Sequence, residues 1–271
     1  MDTNRSETVT VAGIFWRRYS RDLPGAPLVI LHGLFGSGDN WHSQARILAE
    51  TRPVLVPDMP NHGQSAHVGE MSYPAQADRL WDALEEIGCG TEDTPVRLLG
   101  HSMGGKVALG MAFARPEAVK QLIVADIAPR AYPPRHTEIF AAMERVADAA
   151  VDSRSAADTI LAELIPQKPI RLFLLKSLIP DSDGRYHWQL NLGGLRRSYD
   201  DILDWPYTTE RYDGPVLLIA GGKSPYVTVE EHRVFAAYAP NLTVETIEEA
   251  GHWLHAEARD RFLSILGREL R

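Results

Sequence analysis

A serine lies at the centre of Gly100-His101-Ser102-Met103-Gly104, which has the spacing G-x-S-x-G. A short apolar run at 96–99 precedes it, and a run of good helix formers at 106–114 follows it. At a sharp strand-to-helix turn a serine hydroxyl is presented at the end of the strand, and the flanking glycines leave room for the turn. The pattern therefore predicts that Ser102 is a nucleophile. An ordinary glycine turn that happens to carry a serine is the alternative.

A serine hydroxyl is a weak nucleophile until a base accepts its proton, and ten histidines compete for that role. His252 follows the last predicted strand at 242–247. It also comes late in the chain, as the order serine, acid, histidine requires. We therefore predict His252 as the base. His101, inside the serine turn, is expected to face away from a substrate.

A negative charge that develops on a substrate oxygen needs fixed hydrogen-bond donors. The Met103 amide, at the start of the predicted helix, is one candidate, and the Leu34 amide in a glycine-rich loop is the other. The candidate substrate-binding side chains on these loops are Phe35, Trp253 and His32. A histidine that precedes a glycine, as His32 does, is also expected to brace its loop by hydrogen bonding.

Predicted strands and helices must place these residues together. After a hairpin at 8–11 and 14–19, strands alternate with helices, and the predicted strands are 28–31, 54–56, 96–99, 119–125, 216–220 and 242–247. The predicted helices between and after them are 41–50, 73–87, 106–114, 230–238 and 256–266. Such alternation gives right-handed crossovers and a mostly parallel sheet. Ligands bind at the carboxyl edge of such a sheet, where all the candidate residues lie.

One segment breaks this alternation. Residues 133–204 show helical patterns at 136–151, 155–165, 169–178 and 194–203 and no clear buried strand. The segment is too long for one crossover. We predict a helical cap at 129–212, inserted into a core formed by 1–128 and 213–271. The apolar cap residues expected over Ser102 are Phe140, Met143, Phe173, Leu174 and Leu178, unless they form the core of the cap itself.

Composition limits the classes of function. The chain has 271 residues, 44% of them hydrophobic, which suffices for one core with an insertion. A net charge of -8 without a basic run argues against nucleic acid or anionic membranes as partners. The single cysteine cannot form an internal disulfide, the polar start at 1–8 lacks the apolar part of a signal peptide, and no apolar run approaches a membrane span. These features predict a soluble, cytoplasmic monomer or small homo-oligomer.

Taken together, the motifs resemble those of the α/β-hydrolase superfamily over essentially the whole chain, and most of all YbfF-type bacterial esterases and their abhydrolase-domain relatives. They are His32-Gly33-Leu34-Phe35-Gly36-Ser37, Asp58-Met59-Pro60-Asn61-His62-Gly63, Gly100-His101-Ser102-Met103-Gly104-Gly105-Lys106, Asp126-Ile127-Ala128-Pro129 and Gly251-His252-Trp253. The resemblance implies an α/β-hydrolase fold, with an eight-stranded sheet, helices on both faces and a helical cap. It implies hydrolysis of carboxylic esters or acyl thioesters through an acyl-enzyme on Ser102, without cofactor or metal. Pro60 departs from the arginine of many relatives.

The acidic partner of His252 needs a separate argument. In most of the superfamily the acid follows the strand that is 216–220 here, but this chain has Ser224 there, which carries no charge. Asp126 ends the strand next to the nucleophile strand at the same edge, and the YbfF-type resemblance carries the acid at this position. We therefore predict Asp126 rather than Glu230 or Glu249, with turn capping as its alternative role. Ser224 is expected to have no catalytic role.

Other activities fit the same residues. A thioesterase, C–C hydrolase or perhydrolase would keep the serine, histidine and acid, whereas dehalogenases and epoxide hydrolases of this fold use an aspartate nucleophile. A non-catalytic ligand-binding protein is the alternative from another class, and turnover of a simple ester distinguishes it from an enzyme. The cap arginines that suggest a coenzyme A phosphate site are Arg130, Arg135, Arg196 and Arg197. Solvated surface charge is their simpler interpretation.

Overall fold

The computed structural model describes residues 6–270, so part of the polar N-terminal stretch and the last residue lie outside the described residues. The strands of this range are β1 (Ser6–Val11), β2 (Ile14–Tyr19), β3 (Leu28–Leu31), β4 (Val54–Pro57), β5 (Val96–His101), β6 (Val119–Ala125), β7 (Leu178–Pro180), β8 (Tyr186–Trp188), β9 (Val216–Gly221) and β10 (Leu242–Ile247). Eight strands form one sheet in the order β1-β2-β4-β3-β5-β6-β9-β10. Only the pairings of β2 are antiparallel in this sheet. The predicted mostly parallel eight-stranded sheet is confirmed.

Helices cover both faces of the sheet. In the described range they are α1 (His42–Leu48), α2 (Tyr73–Ile87), α3 (Met103–Ala114), α4 (Thr137–Asp148), α5 (Arg154–Ala162), α6 (Lys168–Leu174), α7 (Leu192–Arg197), α8 (Tyr199–Leu203), α9 (Val229–Tyr238), α10 (Leu254–Glu257) and α11 (Arg259–Glu269). One apolar core contains Trp81 of α2 and Val107 of α3, and a second core on the other face contains Leu48 of α1 and Phe262 of α11. The central strands are therefore buried on both sides, which explains their continuous apolar runs.

The final helix differs from the prediction of one helix at 256–266. It is two helices, because the backbone at Ala258 leaves the helical region with φ -131° and ψ 49°. The carboxylate of Glu257, at the end of α10, accepts hydrogen bonds from the amides of Gly251 (2.6 Å) and Trp253 (3.3 Å). The short helix α10 thus serves the loop that carries His252, whereas α11 packs on the sheet.

The segment between β6 and β9 contains α4 to α8 and also a two-stranded hairpin, β7-β8. The sequence shows no clear buried strand in this segment, and the two strands of the hairpin are only partly buried. Each strand is three residues long, which is too short for a period-2 pattern to show in the sequence. The hairpin turn is held by Asp181, whose side chain accepts hydrogen bonds from the amides of Asp183 and Arg185, each at 2.9 Å. The division of the chain into a core and a cap at 129–212 stays a prediction.

Two general features of residues 6–270 bear on function. None of the helices in this range is both long enough and apolar enough to cross a membrane. The same range has no group of three or more histidine, cysteine, aspartate or glutamate side chains placed to hold a metal ion.

Candidate active site

Ser102 lies in the turn between β5 and α3 with φ 53°, a value that a residue with a side chain rarely adopts. The turn is possible because two backbone segments approach each other closely at glycines. A Cβ on Gly100 would collide with the backbone of Gly104, and a Cβ on Gly104 would collide with the carbonyl of Leu31. The Ser102 amide donates to the carbonyl of Ala125 (3.0 Å), which fixes the turn against β6. The predicted strand, sharp turn and helix are all present.

His252 lies between Ser102 and Asp126. Its Nε2 is 3.0 Å from the Ser102 hydroxyl oxygen, and its Nδ1 is 2.7 Å from Oδ2 of Asp126. An ionised carboxylate can only accept hydrogen bonds, so Nδ1 carries the proton and Nε2 is left to accept from the serine hydroxyl. Three residues that the sequence predicts as nucleophile, base and acid therefore form one hydrogen-bonded chain, with the geometry of an activated serine.

The Asp126 carboxylate is fully buried and held from three sides. Oδ1 accepts from the Gly221 amide (2.9 Å), and Oδ2 accepts from His252 and from the Ser224 hydroxyl. The sequence predicts no catalytic role for Ser224, and the structure places its hydroxyl in contact with the predicted acid. The loop after β9 meets the end of β6 at the same edge of the sheet, so its serine reaches the aspartate that β6 carries. Three donors therefore fix the position of this buried carboxylate beside His252.

Two further side chains support His252. The ring of Tyr226 stacks on the imidazole, with the centroids 4.0 Å apart and the planes 20° apart. His101, whose side chain was expected to face away from a substrate, donates from Nε2 to the backbone carbonyl of His252 (2.8 Å), and its ring also borders the cavity. The sequence analysis missed both supports. The one sequence feature that could have indicated these residues is their place at the carboxyl edge of the sheet. Tyr226 follows β9, and His101 is the last residue of β5.

The loop from His32 to Phe35 packs against the serine, since a Cβ on Gly33 would lie 3.1 Å from the Ser102 Cβ. The Phe35 amide donates to His62 (3.1 Å), whereas the Leu34 amide has no acceptor among residues 6–270. The Met103 amide is the first of α3, where helix amides have no partner within the helix. The two amides predicted to bind a negatively charged oxygen are therefore available.

His32 is buried, and both of its ring nitrogens are used within the protein. Nδ1 donates to the Gly33 carbonyl (2.8 Å), and Nε2 accepts from the Met59 amide (2.9 Å). Burial lowers the pKa of His32 to about 4, so the ring is neutral in this arrangement. These contacts match the bracing role. The ring borders the cavity, and only van der Waals contact remains for its predicted role in substrate binding.

A mainly apolar cavity of about 290 Å³ opens onto Ser102 and His252. From the core it is lined by Leu34, Phe35 and Trp253, which include two of the predicted substrate-binding residues. From the 129–212 segment it is lined by Arg135, His136, Ile139, Ile170, Phe173 and Leu174. Of the five apolar residues expected there, the fully buried Phe140, Met143 and Leu178 do not line the cavity. For these three the alternative of a core position applies instead, because Phe140 and Met143 on α4 and Leu178 at the start of β7 are all buried in the apolar core.

The contacts of the four cap arginines in the described range are to different partners. Arg130 pairs with Glu231 (2.9 Å), and its guanidinium lies 3.9 Å from the centroid of the Tyr132 ring. Arg196 lies over Phe140, whereas Arg135 borders the cavity beside Tyr226. Among the contacts of the described residues, Arg197 has no partner in common with the other three arginines. This scatter fits separate surface and packing roles better than a phosphate site.

Several histidines near the site are neutral because they are buried. Burial lowers the pKa of His62 and of His255 to about 3, and it lowers that of His101 well below the ordinary value. His255 stacks on Trp41, with ring centroids 4.3 Å apart, at the base of the cavity. With His32, these residues form a group that cannot be protonated without disturbing the folded state.

We predict that this group makes the fold sensitive to acid. In the unfolded chain these histidines bind protons near pH 6.5, but in the folded protein His32, His62 and His255 do so only near pH 3 to 4. Between these values the unfolded state holds more protons, so the free energy of unfolding falls as pH falls, by about 1.4 kcal/mol per pH unit for each histidine. In urea unfolding, the slope should approach about five protons near pH 5, four from this group and one from His136, whose pKa burial also lowers to about 4.

The matched variants are His255→Gln, which should lower this slope by about one proton, and the exposed His187→Gln, which should leave it unchanged. A free energy of unfolding that stays constant between pH 7 and 5 would contradict the assignment of neutral buried histidines.

Comparison with known proteins agrees with this architecture. A family model described as alpha/beta hydrolase fold matches residues 26–258. The chain is 36% identical over 264 residues to the sn-1-specific diacylglycerol lipase ABHD11 of Xenopus laevis, covering 94% of this chain and 83% of that protein. It is 36% identical over 246 residues to esterase YbfF of Escherichia coli, covering 90% and 93% of the two chains.

Among solved structures, a marine microorganism esterase superposes with a TM-score of 0.88 at 34% identity, covering 94% of this chain and 98% of that one. This match covers nearly the whole length of both chains. The chain belongs to the α/β-hydrolase fold family.

Proposed function

We propose that this protein is a serine hydrolase that cleaves carboxylic esters through an acyl-enzyme on Ser102. The observation that carries the proposal is the hydrogen-bonded chain from Ser102 through His252 to Asp126, which ends beneath an apolar cavity. The names of its relatives, an esterase and a diacylglycerol lipase, support the same class of substrate. The two available amides of Leu34 and Met103 supply the donors that such a reaction needs.

In the first half of the reaction, the Ser102 oxygen attacks the acyl carbonyl carbon while Nε2 of His252 takes the hydroxyl proton. The carbonyl oxygen becomes negatively charged and accepts hydrogen bonds from the Leu34 and Met103 amides. Asp126 stabilises the imidazolium that forms. When the tetrahedral intermediate collapses, the bond to the alcohol breaks and His252 gives its proton to the leaving oxygen, so that the acyl group remains on Ser102.

In the second half, a water molecule replaces the alcohol. His252 takes a proton from the water as its oxygen attacks the acyl carbonyl, and the same two amides hold the oxyanion again. Collapse breaks the bond to the Ser102 oxygen, which recovers its proton from His252. The acid product leaves, and the enzyme returns to its starting state. No cofactor enters either half.

The substrate class follows from the cavity wall. Side chains of the proposed 129–212 cap, among them Ile139, Ile170 and Phe173, give that wall an apolar character suited to an acyl chain. Acyl thioesters present the same carbonyl carbon to the same groups. The proposal includes them as substrates that are hydrolysed no faster than the corresponding esters. A net charge of -8 and a single cysteine further support a cytoplasmic enzyme acting on small-molecule esters rather than on nucleic acid.

The experiment that tests the proposal is a panel of p-nitrophenyl esters, from acetate to palmitate, beside the acyl-CoA thioesters of the same lengths. We expect saturable hydrolysis of the esters, with an acidic limb in kcat/KM because a protonated His252 cannot accept the serine proton. Turnover of thioesters alone would move the protein to the thioesterase class. A folded protein that hydrolyses none of these compounds would be the non-catalytic alternative.

Apolar residues of α6 should set the preferred acyl length. Phe173→Ala removes a ring that lines the cavity and so leaves room for longer or bulkier acyl groups. We predict that the ratio of kcat/KM for the octanoate ester to kcat/KM for the acetate ester rises by about tenfold. The matched control is Leu172→Ala on the same helix, since Leu172 is 51% exposed and does not border the cavity. Equal losses on every ester in Phe173→Ala would instead show that the ring only holds the helix in place.

The Ser224 hydroxyl should contribute to catalysis through Asp126. Ser224→Ala removes one of three donors to the carboxylate, and we expect kcat to fall by about tenfold, the effect of losing one hydrogen bond to a charged group. Ser224→Thr, which keeps a hydroxyl, should retain most of the activity. Comparable loss in the threonine variant, or full activity in the alanine variant, would contradict this role.

A further inference from the structure

Lys106 is a buried amine that the proposed reaction does not use. It lies on α3, four residues after Ser102, and is only 2% exposed. Its Nζ is 5.0 Å from the centroid of the Tyr73 ring, 5.1 Å from that of Tyr132 and 5.9 Å from that of Trp205. Three aromatic faces around one ammonium are an arrangement that attracts a cation electrostatically.

The same ammonium holds the end of the 129–212 segment. Nζ donates to the carbonyls of Leu203 (3.2 Å) and Asp204 (2.8 Å), which are the last residue of α8 and the residue after it. Carbonyls at a helix end have no partner within the helix, so these two depend on outside donors. The Tyr132 amide also donates to the Leu203 carbonyl (2.9 Å). The chain entering the segment and the chain leaving it thus meet at Lys106, on the helix that begins at the nucleophile.

A short series of contacts connects α8 to the cavity wall. The hydroxyl of Tyr199, on α8, accepts hydrogen bonds from the amides of Arg135 (3.1 Å) and His136 (3.0 Å) and lies 2.8 Å from Nδ1 of His136. Arg135 and His136, together with Ile139 of α4, line the cavity over Ser102. These contacts connect α8 to the two residues that directly precede α4, whose Ile139 lines the cavity.

A charge at this place is unfavourable for the fold itself. Burial lowers the pKa of Lys106 to about 7, an effect that the Asp204 carboxylate opposes and Arg130 reinforces. An apolar side chain would fill the same volume of α3 without loss of hydration. Its amide donates to the Ser102 carbonyl within the first turn of α3 (3.3 Å), but its side chain has no hydrogen bond to Ser102, His252 or Asp126 among the contacts of the described chain. Its contacts point to a role in placing the segment that it binds.

We propose that Lys106 is a positioning residue, which fixes the end of the 129–212 segment on the nucleophile helix and thereby sets the cavity wall that the acyl chain contacts. The inference rests on the proposed ester hydrolysis. It predicts an effect on the binding of acyl chains that reach the wall, with little effect on the chemistry at Ser102. Tyr199, the connecting residue, should share this effect because it acts through the same helix.

The test compares Lys106→Met, Tyr199→Phe, the double variant and the control Lys120→Met, which removes an exposed lysine of β6. For p-nitrophenyl octanoate, KM should rise about tenfold in each single variant, and the double variant should rise no further, because the two residues act in series. For p-nitrophenyl acetate, whose short acyl group offers the least area for contact with the wall, kcat and KM should stay within about twofold of the parent protein. Lys120→Met should match the parent on both esters.

Three results would overturn the inference: an unchanged KM for octanoate in a folded Lys106→Met protein, an equal fall of kcat on both esters, or additive effects in the double variant. Should Lys106→Met fail to fold, Tyr199→Phe alone must still show the octanoate effect for the inference to survive. Stoichiometric labelling by a fluorophosphonate in each variant separates the two proposals. Labelling with an unchanged KM rejects only the role of Lys106, whereas absence of labelling in the parent protein rejects the ester hydrolase itself.

Discussion

Ser102→Ala should reduce kcat/KM for every ester by about 10⁴-fold or more, because it removes the atom that forms the acyl-enzyme. The oxyanion donors and His252 stay in place, but the direct attack of water that they can still promote is much slower than the reaction through Ser102. Alanine carries a Cβ like serine, so the positive φ of the turn and the close glycine contacts are unchanged. We therefore expect the same melting temperature within a few degrees, measured by circular dichroism.

The matched control is Ser155→Ala, at an exposed position of α5, which should keep full activity. Steady-state kinetics on p-nitrophenyl butyrate, with each variant purified away from host esterases, provides the measurement. A folded Ser102→Ala protein that kept more than about 1% of the activity would show that another residue carries the chemistry.

Asp126→Asn should lower kcat by about 10³- to 10⁴-fold. The asparagine keeps the shape of the side chain but loses the charge that stabilises the imidazolium of His252. It also brings an NH₂ group into a place where the Gly221 amide, the Ser224 hydroxyl and the His252 Nδ1 all donate. One of these donors then faces another donor, and His252 is driven toward the tautomer that cannot accept the serine proton.

Two glutamates provide the comparison for this variant. Glu230 and Glu249 were the alternative acids in the sequence, and both are exposed in the structure. Glu230→Gln and Glu249→Gln should retain activity within about twofold, as surface changes away from the site usually do. If Asp126→Asn were active and either glutamine variant were not, the acid would have been assigned to the wrong strand.

The serine turn could be predicted from the sequence because its requirements are local. Gly100 and Gly104 are needed for close backbone approach, and the apolar strand and the helix formers flank them directly. His252 and Asp126 could be predicted to lie nearby because each follows a parallel strand, and all carboxyl ends meet at one edge. The choice of Asp126 over a residue after β9 depended in part on resemblance to a known family.

Contacts between distant segments could not be predicted in this way. The hydroxyl of Ser224 reaches Asp126 only because β9 lies next to β6, an order that no local pattern specifies. Helical spacing marked Phe140 and Phe173 equally as apolar, but it does not tell which face turns to the cavity and which to the core. A lysine within the apolar start of α3 was visible in the sequence, yet only the fold shows that Lys106 meets Leu203 and its aromatic neighbours.

The most direct test of the central claim is the site of covalent labelling by a fluorophosphonate, read by intact mass and peptide mapping. The reagent resembles an ester carbonyl and reacts with a serine only where a base and oxyanion donors activate it. We predict one equivalent per chain, on the peptide that contains Ser102, with loss of activity in proportion to labelling and no label on Ser102→Ala. Two results would contradict the assignment of Ser102 as the nucleophile. One is a label on a different residue that abolishes activity, and the other is residual turnover in the Ser102→Ala protein that the same reagent eliminates completely.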